Sequence, residues 1–495
     1  MPHIHFALID AFLVSGYALL ILLIGFRAGR HEHRNVDEYI IAGRSLTLPV
    51  FVATLVSTWY GGILGVGEYS YRYGISNWVV LGAPFYIFSA LFALFLAEKI
   101  RRTNFTTIPD KLEQAYGKPA AIIGGLHVFV LVTPAAYTLQ LGILVELLFG
   151  FSLTASVLIV TVVSTAFLFA GGLRSDVRTN IAEFILMFVG FATVLPFSFA
   201  KFDGLAFIKA NVPPLHLTLS GGNSLQFILV WFFIALWTFV DPAFHQRCYA
   251  AKDGKTAKHG ILIAIIFWFL FDSMTTTAGL YARAASPHLR QPLFSYPMLA
   301  EIVLPPVAKG MFYIGLIATI MSTLSSLMLI SGITLGKDVA LRLRHQPQEE
   351  TRLIQPNLLP VENSLGKVPH VRMFSNIGLI IAALFSIALA LLVPSVVRLW
   401  YSVGTVIVPG ILLPLLASYF PPLAMSKRAA LSTMILAPLI SFIWLIDGAA
   451  RGSIEQPSYW LGIEPMYPGL LLSISIWALG KTTQHWKSKH LHKKH

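Results

Sequence analysis

The sequence predicts an all-α polytopic membrane protein with about thirteen transmembrane helices, on the evidence of its composition and its apolar runs. Hydrophobic residues make up 56% of the 495 residues and charged residues only 12%, whereas a soluble domain carries about 25% charged residues. Runs long enough to cross a bilayer recur along the whole chain. They lie at roughly 6–26, 47–70, 77–98, 119–149, 152–173, 180–200, 225–247, 258–284, 306–332, 373–393, 396–420, 429–447 and 466–480.

Lysine and arginine are unevenly distributed between alternate loops, and this bias predicts an orientation. The loops after segments 1, 3, 5, 7, 9 and 11, together with the basic tail 481–495, hold most of the 36 basic residues, and Arg247 is counted with the loop after segment 7. Basic loops stay in the cytoplasm, so we expect the N-terminus outside, the C-terminus inside and an odd number of spans. The net charge of +13 is therefore attributed to cytoplasmic loops, including a flexible loop at 337–372, and not to nucleic-acid binding.

A row of hydroxyl side chains lies within the ninth segment, where an apolar face is expected. Thr319, Ser322, Thr323 and Ser326 follow the i, i+3, i+4, i+7 spacing of one helix face. Hydroxyls of this kind commonly pack membrane helices by bonding to a backbone carbonyl. They can also supply oxygen ligands to a small hard cation. The stretch by itself leaves both interpretations open.

Segments 2 and 7 carry residues that interrupt a helix. Four glycines fall between positions 61 and 67, and each weakens a helix by about 1 kcal/mol relative to alanine. Pro242 disfavours helix at Asp241. Interrupted helices at matching places in two halves of a chain indicate a transporter's central site. We therefore predict a single transporter domain, 1–495, with five-helix repeats at 47–200 and 225–420, an extra helix at 6–26 and two more within 429–480.

Five short motifs, in order, resemble those of the sodium:solute symporter family, which has the LeuT-type inverted-repeat fold. They are Asp37–Arg44 (DEYIIAGR), Phe105–Gly117 (FTTIPDKLEQAYG), Gly171–Arg174 (GGLR), Gln246–Lys252 (QRCYAAK) and Met321–Ser325 (MSTLS). The resemblance runs over nearly the whole chain and implies a transporter that uses Na⁺ as its coupling ion. It also implies where that ion binds. Carried over by position, the ligands are the carbonyls of Ser57, Tyr60 and Thr319 and the hydroxyls of Ser322 and Thr323.

One departure from the family pattern bears on stoichiometry. The family commonly has a Thr-Asp pair entering its fifth core helix, followed three residues later by Gln, whereas this chain has Thr179-Asn180 followed by Glu183. The aspartate is linked in some members to a second sodium site. Because Asn180 lacks the charge, we expect one Na⁺ per solute, with substitution by Asp176 or Glu183 as the alternative.

The predicted solute site combines acidic and aromatic residues with the glycine break. Asp272 follows Trp268 by four residues and shares its helix face, and an ionisable group within a span is a functional hypothesis by default. By resemblance, Trp268 and Trp237 align with solute-facing positions of sugar-transporting members, but Ile234 replaces a polar sugar contact. Asp241 either contacts the solute or caps the next half-helix. Gly61 and Gly62, at the break itself, complete the predicted set.

The sequence thus predicts a Na⁺-coupled symporter that imports a small organic solute across a bacterial inner-membrane-type cell membrane. A small zwitterion or amine is favoured over a hexose. Proton coupling on the same fold and a transporter-like membrane sensor are the competing interpretations. An enzyme is disfavoured because the sequence contains no nucleophile–base or metal constellation. The expected partners are the solute, Na⁺ and the lipid bilayer, with neither nucleic acid nor an obligatory protein partner.

Overall fold

The computed structural model of the protein describes residues 4, 6–29, 36–166, 168–344, 368–393, 395–453 and 457–491, and within these ranges it is helical with no extended strand. Eleven helices there are long and apolar enough to cross a membrane. The helices that correspond to the thirteen predicted spans, numbered here as segments 1 to 13, are Leu8–Gly29, Leu48–Tyr73, Trp78–Arg102, Lys118–Phe149, Leu153–Ala166, Leu168–Lys201, Leu225–Ala250, Gly254–Ala285, Ala308–Arg344, Val368–Leu392, Val396–Tyr419, Lys427–Arg451 and Met466–Leu491. Shorter helices between them are Val36–Ile41, Ile108–Tyr116, Leu205–Asn211 and Ser295–Val303.

Every predicted span corresponds to a helix, although two of the thirteen fall outside the eleven candidates. Segment 5 has only 14 residues, and segment 13 is not among the long apolar helices. The count of thirteen therefore stays a prediction. Segment 6 begins well before the predicted residue 180, and its helix is interrupted by a bend at Gly172, where φ is +52° and ψ is −148°. A Cβ at Gly172 would lie 2.6 Å from the carbonyl oxygen of Tyr39, so this bend requires glycine.

Segment 9 lies at the centre of the bundle and packs along segment 6. A Cβ added to Gly190 of segment 6 would lie 2.7 Å from the Cα of Gly315, so the two backbones meet where both residues are glycine. Small residues allow this close approach between membrane helices. Segment 1 fixes the start of segment 9, since Asp10 accepts hydrogen bonds from the backbone N–H groups of Val307 and Gly310 at 2.8 and 2.9 Å. These contacts position the hydroxyl-bearing turns of segment 9.

Segments 2 and 7 are interrupted where the sequence predicted. Segment 2 consists of a helix Leu48–Trp59, a 3₁₀ turn Tyr60–Gly62 and a second helix Ile63–Tyr73. In segment 7 the helix Leu225–Ile234 tightens into a 3₁₀ stretch and resumes at Pro242–Ala250. Each break frees backbone groups that an unbroken helix would pair internally.

The predicted loop 337–372 starts too early, because segment 9 continues to Arg344. Residues 345–367 lie outside the described part of the chain, and segment 10 already begins at Val368. The extension is held by buried ion pairs with the helix Ile108–Tyr116. Lys337 Nζ lies 2.7 Å from Asp110 and 3.2 Å from Asp338, and Arg342 also contacts both carboxylates. Charged residues therefore pack inside the bundle here because each has an opposite charge beside it.

This cluster gives the fold a predicted acid-sensitive element. Burial alone would raise the pKa of the Asp110 carboxyl, but Lys337 and Arg342 hold it well below its usual range. A depressed folded-state pKa contributes stability above the unfolded value of about 4, and that contribution is lost as pH falls below it. Asp110→Asn should destabilise the protein by roughly 3 kcal/mol near neutral pH, because Lys337 loses a buried partner. Melting temperatures measured from pH 7 to pH 3 should show this deficit shrinking at the acid end.

Asp447→Asn provides the control, since Asp447 pairs with Arg451 on an exposed turn of segment 12. Exposed pairs at i, i+4 contribute about 0.3–0.5 kcal/mol, so its melting temperature should match the wild type. A deficit in Asp110→Asn that stayed constant across the pH range would contradict the assigned role of the ionised carboxylate.

Candidate functional site

Segment 9 passes the break in segment 2 and contacts it through two hydroxyl groups. We call this contact the crossing. Ser322 Oγ lies 2.8 Å from the carbonyl oxygen of Ser57 and 3.0 Å from that of Thr319. Thr323 Oγ1 lies 2.7 Å from the carbonyl oxygen of Thr58 and 3.4 Å from that of Ser57. All five residues are buried. The structure thus brings together four of the five predicted ion ligands, and it adds the carbonyl of Thr58.

The fifth predicted ligand, Tyr60, begins the 3₁₀ turn that follows these carbonyls. Its phenol hydroxyl donates to the carbonyl of Trp268 at 2.7 Å, which ties the turn to segment 8. Gly61 follows directly, and a Cβ there would lie 2.3 Å from the Cβ of Thr323. Glycine is therefore required for segment 9 to approach the turn.

The residues present at this crossing fit a small hard cation. The three carbonyls and two hydroxyls are uncharged oxygen donors, the ligand type that such cations prefer. The carbonyls of Ser57 and Thr58 lie at the C-terminal end of the helix Leu48–Trp59, where the helix dipole places partial negative charge. Each hydroxyl keeps lone pairs that a cation can share.

A cavity of about 160 Å³ adjoins the crossing. Its wall contains Thr58 and Thr323, so both residues belong to the crossing and to the cavity. The wall also contains four of the six predicted solute residues, namely Gly62, Trp237, Asp241 and Asp272, together with Tyr60, which was predicted as an ion ligand. Gly61 does not line it. Trp268 is not in the wall. It is fully buried and lies behind Trp59, with 5.2 Å between the ring centroids.

The two acidic residues of the wall are held by neutral donors. Asp241 Oδ1 accepts from the backbone N–H groups of Ala243 and Phe244 at 2.7 and 3.2 Å. It therefore caps the second half of segment 7, which is one of the two predicted alternatives, and it also lines the cavity. Asp272 accepts a hydrogen bond from the phenol of Tyr86. Within the described residues neither carboxylate forms a salt bridge.

Sequence reasoning missed several aromatic residues of the wall. Trp400 packs on the break so closely that a Cβ at Gly62 would lie 1.8 Å from its ring. Trp59, Phe85, Tyr137 and Trp400 all contribute to the wall, from segments 2, 3, 4 and 11. Aromatic residues are common in apolar spans, so nothing in their local sequence separates a cavity wall from lipid-facing packing.

Arg247 is the main correction to the sequence analysis, which counted it among the loop cations. Its side chain is fully buried beside the crossing. The guanidinium lies 3.2 Å from a carboxylate oxygen of Asp176, 3.0 Å from Thr58 Oγ1 and 2.9 Å from Ser326 Oγ. Ser325 and Ser326 both donate to Asp176. Ser325 and Ser326, which follow the crossing on segment 9, thus bind a resident ion pair.

Asn180 and Glu183, the two residues that depart from the family pattern, lie near this pair on segment 6. Asn180 Nδ2 donates to Asp176 and to Ser326 Oγ, each at 3.1 Å. Glu183 lies further along segment 6 and accepts from the hydroxyl of Tyr17 at 3.2 Å. Of the two predicted substitutes for the family aspartate, Asp176 reaches the hydroxyls of segment 9, and Glu183 contacts segment 1 instead.

The Asp176–Arg247 pair gives a testable energetic prediction. Removing one member of a buried pair leaves an uncompensated charge and costs about 3–5 kcal/mol, whereas removing both can be nearly neutral. Asp176→Asn and Arg247→Gln should each lower the melting temperature, and the double variant should recover most of the loss. A double-mutant cycle on melting temperatures measures this coupling.

A matched double-mutant cycle on the exposed Asp447–Arg451 pair is the control, and its coupling free energy should be about 0.3–0.5 kcal/mol. If the double variant at 176 and 247 were no more stable than the worse single variant, the two residues would not form an energetic unit.

Comparison with known proteins finds relatives that match nearly the whole chain. The chain is 26% identical over 488 residues to the sodium/pantothenate symporter of Escherichia coli (strain K12), covering 94% of each chain. It is 23% identical over 487 residues to the osmoregulated proline transporter OpuE of Bacillus subtilis (strain 168), covering 92% of this chain and 91% of the relative.

Two solved structures are similar in fold. A Na⁺-coupled sialic acid symporter in a substrate-bound outward-open state superposes with a TM-score of 0.77 at 14% identity, over 97% of this chain and 98% of that one. Mhp1, a nucleobase-cation-symport-1 family transporter in a closed conformation, gives 0.56 at 12% identity, over 90% and 95% of the chains. These likenesses confirm the predicted LeuT-type fold.

The sodium:solute symporter family model matches residues 39–397, which is most of the chain. The family resemblance predicted from the five motifs is thereby confirmed, as is Na⁺ as the coupling ion. The chain therefore belongs to the sodium:solute symporter family, and it is a multi-pass membrane transporter, not an enzyme, that couples a small solute to Na⁺.

Proposed function

We propose that Na⁺ binds where segment 9 crosses the break in segment 2 and drives import of a small organic amine or amino acid held in the adjoining cavity. The predicted ligands are the carbonyls of Ser57, Tyr60 and Thr319 and the hydroxyls of Ser322 and Thr323. Each Na⁺ that moves down a 100 mV potential supplies about 2.3 kcal/mol. That energy is available for concentrating the solute against its own gradient.

One observation carries the proposal: the ion crossing and the cavity share a wall. Thr323 Oγ1 lies 2.7 Å from the carbonyl of Thr58, and both residues line the cavity. A cation held at the crossing fixes segment 9 against the break and so shapes that wall. Coupling between two ligands is reciprocal, so the solute should also raise the affinity for Na⁺.

A stoichiometry of one Na⁺ is supported by the ion pair beside the crossing. Ser325 and Ser326 donate to Asp176, and Arg247 supplies the positive charge that this carboxylate needs. Asn180 donates an amide to the same carboxylate and adds no negative charge. The guanidinium of Arg247 thus already pairs with the carboxylate that a second cation would need as its anionic ligand.

The solute preference rests on the composition of the cavity wall. Ile234 and Trp237 present apolar surface, and Asp241 and Asp272 present acidic groups. A hexose needs a dense set of polar partners, whereas an amine needs an acceptor and an apolar wall. A small amino acid or amine is accordingly favoured over a hexose.

The remaining features of the proposal concern topology. We infer that the N-terminus lies outside and the basic tail inside, following the lysine and arginine bias, in an inner-membrane-type bilayer. Residues 47–200 and 225–420 form the two repeats within one domain, with extra helices at 6–26 and within 429–480. Rocking of one bundle against the other then exposes the site to each side in turn.

The ion site is tested by a double variant, Ser322→Ala with Thr323→Ala. Removing two ligand hydroxyls, at roughly 1 kcal/mol each, should raise the Na⁺ concentration for half-maximal thermal stabilisation more than about tenfold. The measurement is a melting-temperature titration of the purified protein with Na⁺, with K⁺ held at compensating concentration.

Ser331→Ala is the matched control. Ser331 is a buried hydroxyl on the same segment that donates to the carbonyl of Val132 at 3.3 Å, away from the crossing. Its Na⁺ titration should match the wild type. An unchanged titration in the double variant would refute the site.

Proton coupling and a sensor role are separated by flux measurements in proteoliposomes. Uptake of a solute driven by an imposed Na⁺ gradient at equal pH on both sides supports the proposal. Uptake driven by a pH gradient alone would favour protons, for which Asp272 and its partner Tyr86 are the candidate carriers. Binding of a solute without any flux would favour the sensor.

A further inference from the structure

The cavity beside the sodium crossing is small and aromatic. Its volume of about 160 Å³ is close to that of an engineered protein cavity of roughly 150 Å³ that binds benzene. Trp59, Phe85, Tyr137, Trp237 and Trp400 contribute rings to its wall. Aromatic faces attract organic cations through their quadrupole. The size and the rings together suit a compact solute with an apolar body.

The charged residues that line the cavity, within the described part of the chain, are all acidic. Asp241 and Asp272 line the cavity, and its lining contains no lysine, arginine or histidine within the described part of the chain. The closest buried guanidinium, Arg247, is engaged by Asp176, Thr58 and Ser326. A positively charged group in the cavity therefore meets two carboxylates, and a negatively charged group meets no cation.

Three N–H groups at the starts of the two second half-helices, where a solute carboxylate could bind, already have side-chain acceptors. Broken helices commonly offer their N-terminal N–H groups to anions. In segment 2, however, the N–H of Leu64 donates to the side-chain oxygen of Gln140 at 2.9 Å. In segment 7, Asp241 accepts from the N–H groups of Ala243 and Phe244. Both breaks are thus supplied with acceptors by the protein itself.

We propose that the solute is a compact organic cation without a carboxylate, held with its ammonium group against Asp272 and Asp241 among the tryptophan rings. The proposal rests on the proposed function, since it takes this cavity as the solute site. It narrows the amine-or-amino-acid class to amines. It also separates this chain from its relative named for pantothenate, because a carboxylate would face the two aspartates.

A matched set of five-membered rings tests the charge preference on the purified full-length protein. The probes are pyrrolidine, N,N-dimethylpyrrolidinium, L-proline and cyclopentanecarboxylate, with pantothenate added. We expect the two cations to raise the melting temperature in Na⁺ with half-maximal concentrations at least about tenfold below that of proline. Cyclopentanecarboxylate and pantothenate should give no stabilisation. The proposal is overturned if neither cation stabilises the protein, or if a carboxylate-bearing probe binds as tightly as pyrrolidine.

Two variants test whether Asp272 and Asp241 cause the preference for cationic probes. Asp272→Asn keeps the side-chain shape and removes the charge, and Asp241→Asn also keeps a good helix cap because asparagine caps as well as aspartate. Each should weaken pyrrolidine about tenfold or more. Asp447→Asn, on the exposed turn of segment 12, should not. Unchanged pyrrolidine affinity in both cavity variants would contradict the proposal. If one variant fails to fold, the other variant and the wild-type probe series still decide.

Replacing Na⁺ by K⁺ in the same titrations distinguishes this inference from the proposed function. Sodium-dependent stabilisation by proline or pantothenate, but not by the cations, would overturn the inference and leave sodium coupling intact. Equal stabilisation by pyrrolidine in Na⁺ and K⁺ would support the solute class and count against the proposed ion crossing.

Discussion

The structure depends most on the contact between segment 9 and the break in segment 2. There Ser322 and Thr323 present hydroxyls to the carbonyls of Ser57 and Thr58. A broken helix in a bilayer is tolerated only where its freed groups find partners. Glycines make the approach possible, at Gly61 beside Thr323 and at Gly315 beside segment 6. The oxygen atoms that satisfy the break are thus the same atoms that suit a small cation.

The buried pair of Asp176 and Arg247 connects this contact to the rest of the bundle. It joins segments 6 and 7 and reaches segments 2 and 9 through Thr58 and Ser326. Isolated charges at this depth would be costly, so the pair constrains how these four segments can move relative to one another. The guanidinium of Arg247 contacts Ser326, one helical turn along segment 9 from Ser322. A cation at the crossing would be repelled by this guanidinium, which limits how much further positive charge this part of the bundle can hold.

Local patterns in the sequence predicted the hydroxyl face and the helix breaks, because both depend on residues that are near each other in the chain. The face of Thr319, Ser322 and Thr323 follows from helical periodicity, and the breaks follow from glycine and Pro242. Arg247 was assigned to a loop because a cation at the end of an apolar run normally marks a boundary. Its partner Asp176 is 71 residues earlier, and no local rule links the two. Trp400, which lines the cavity, and Tyr86, which donates to Asp272, were missed for the same reason, since only the packing of distant segments brings them to these positions.

The two breaks differ in backbone geometry, since segment 2 passes through the short turn Tyr60–Gly62 and segment 7 through a longer 3₁₀ stretch and the extended residue Asp241. In segment 2 the freed carbonyls remain available to a cation, while the N–H of Leu64 is taken by Gln140. In segment 7 the N–H groups that follow the break are taken by Asp241. Both breaks therefore present oxygen atoms, and neither presents unpaired donors at these positions. On the proposed assignment the crossing and the cavity would attract positive charge by the same physical means, so the favourable coupling between Na⁺ and a cationic solute would have to exceed the repulsion between them.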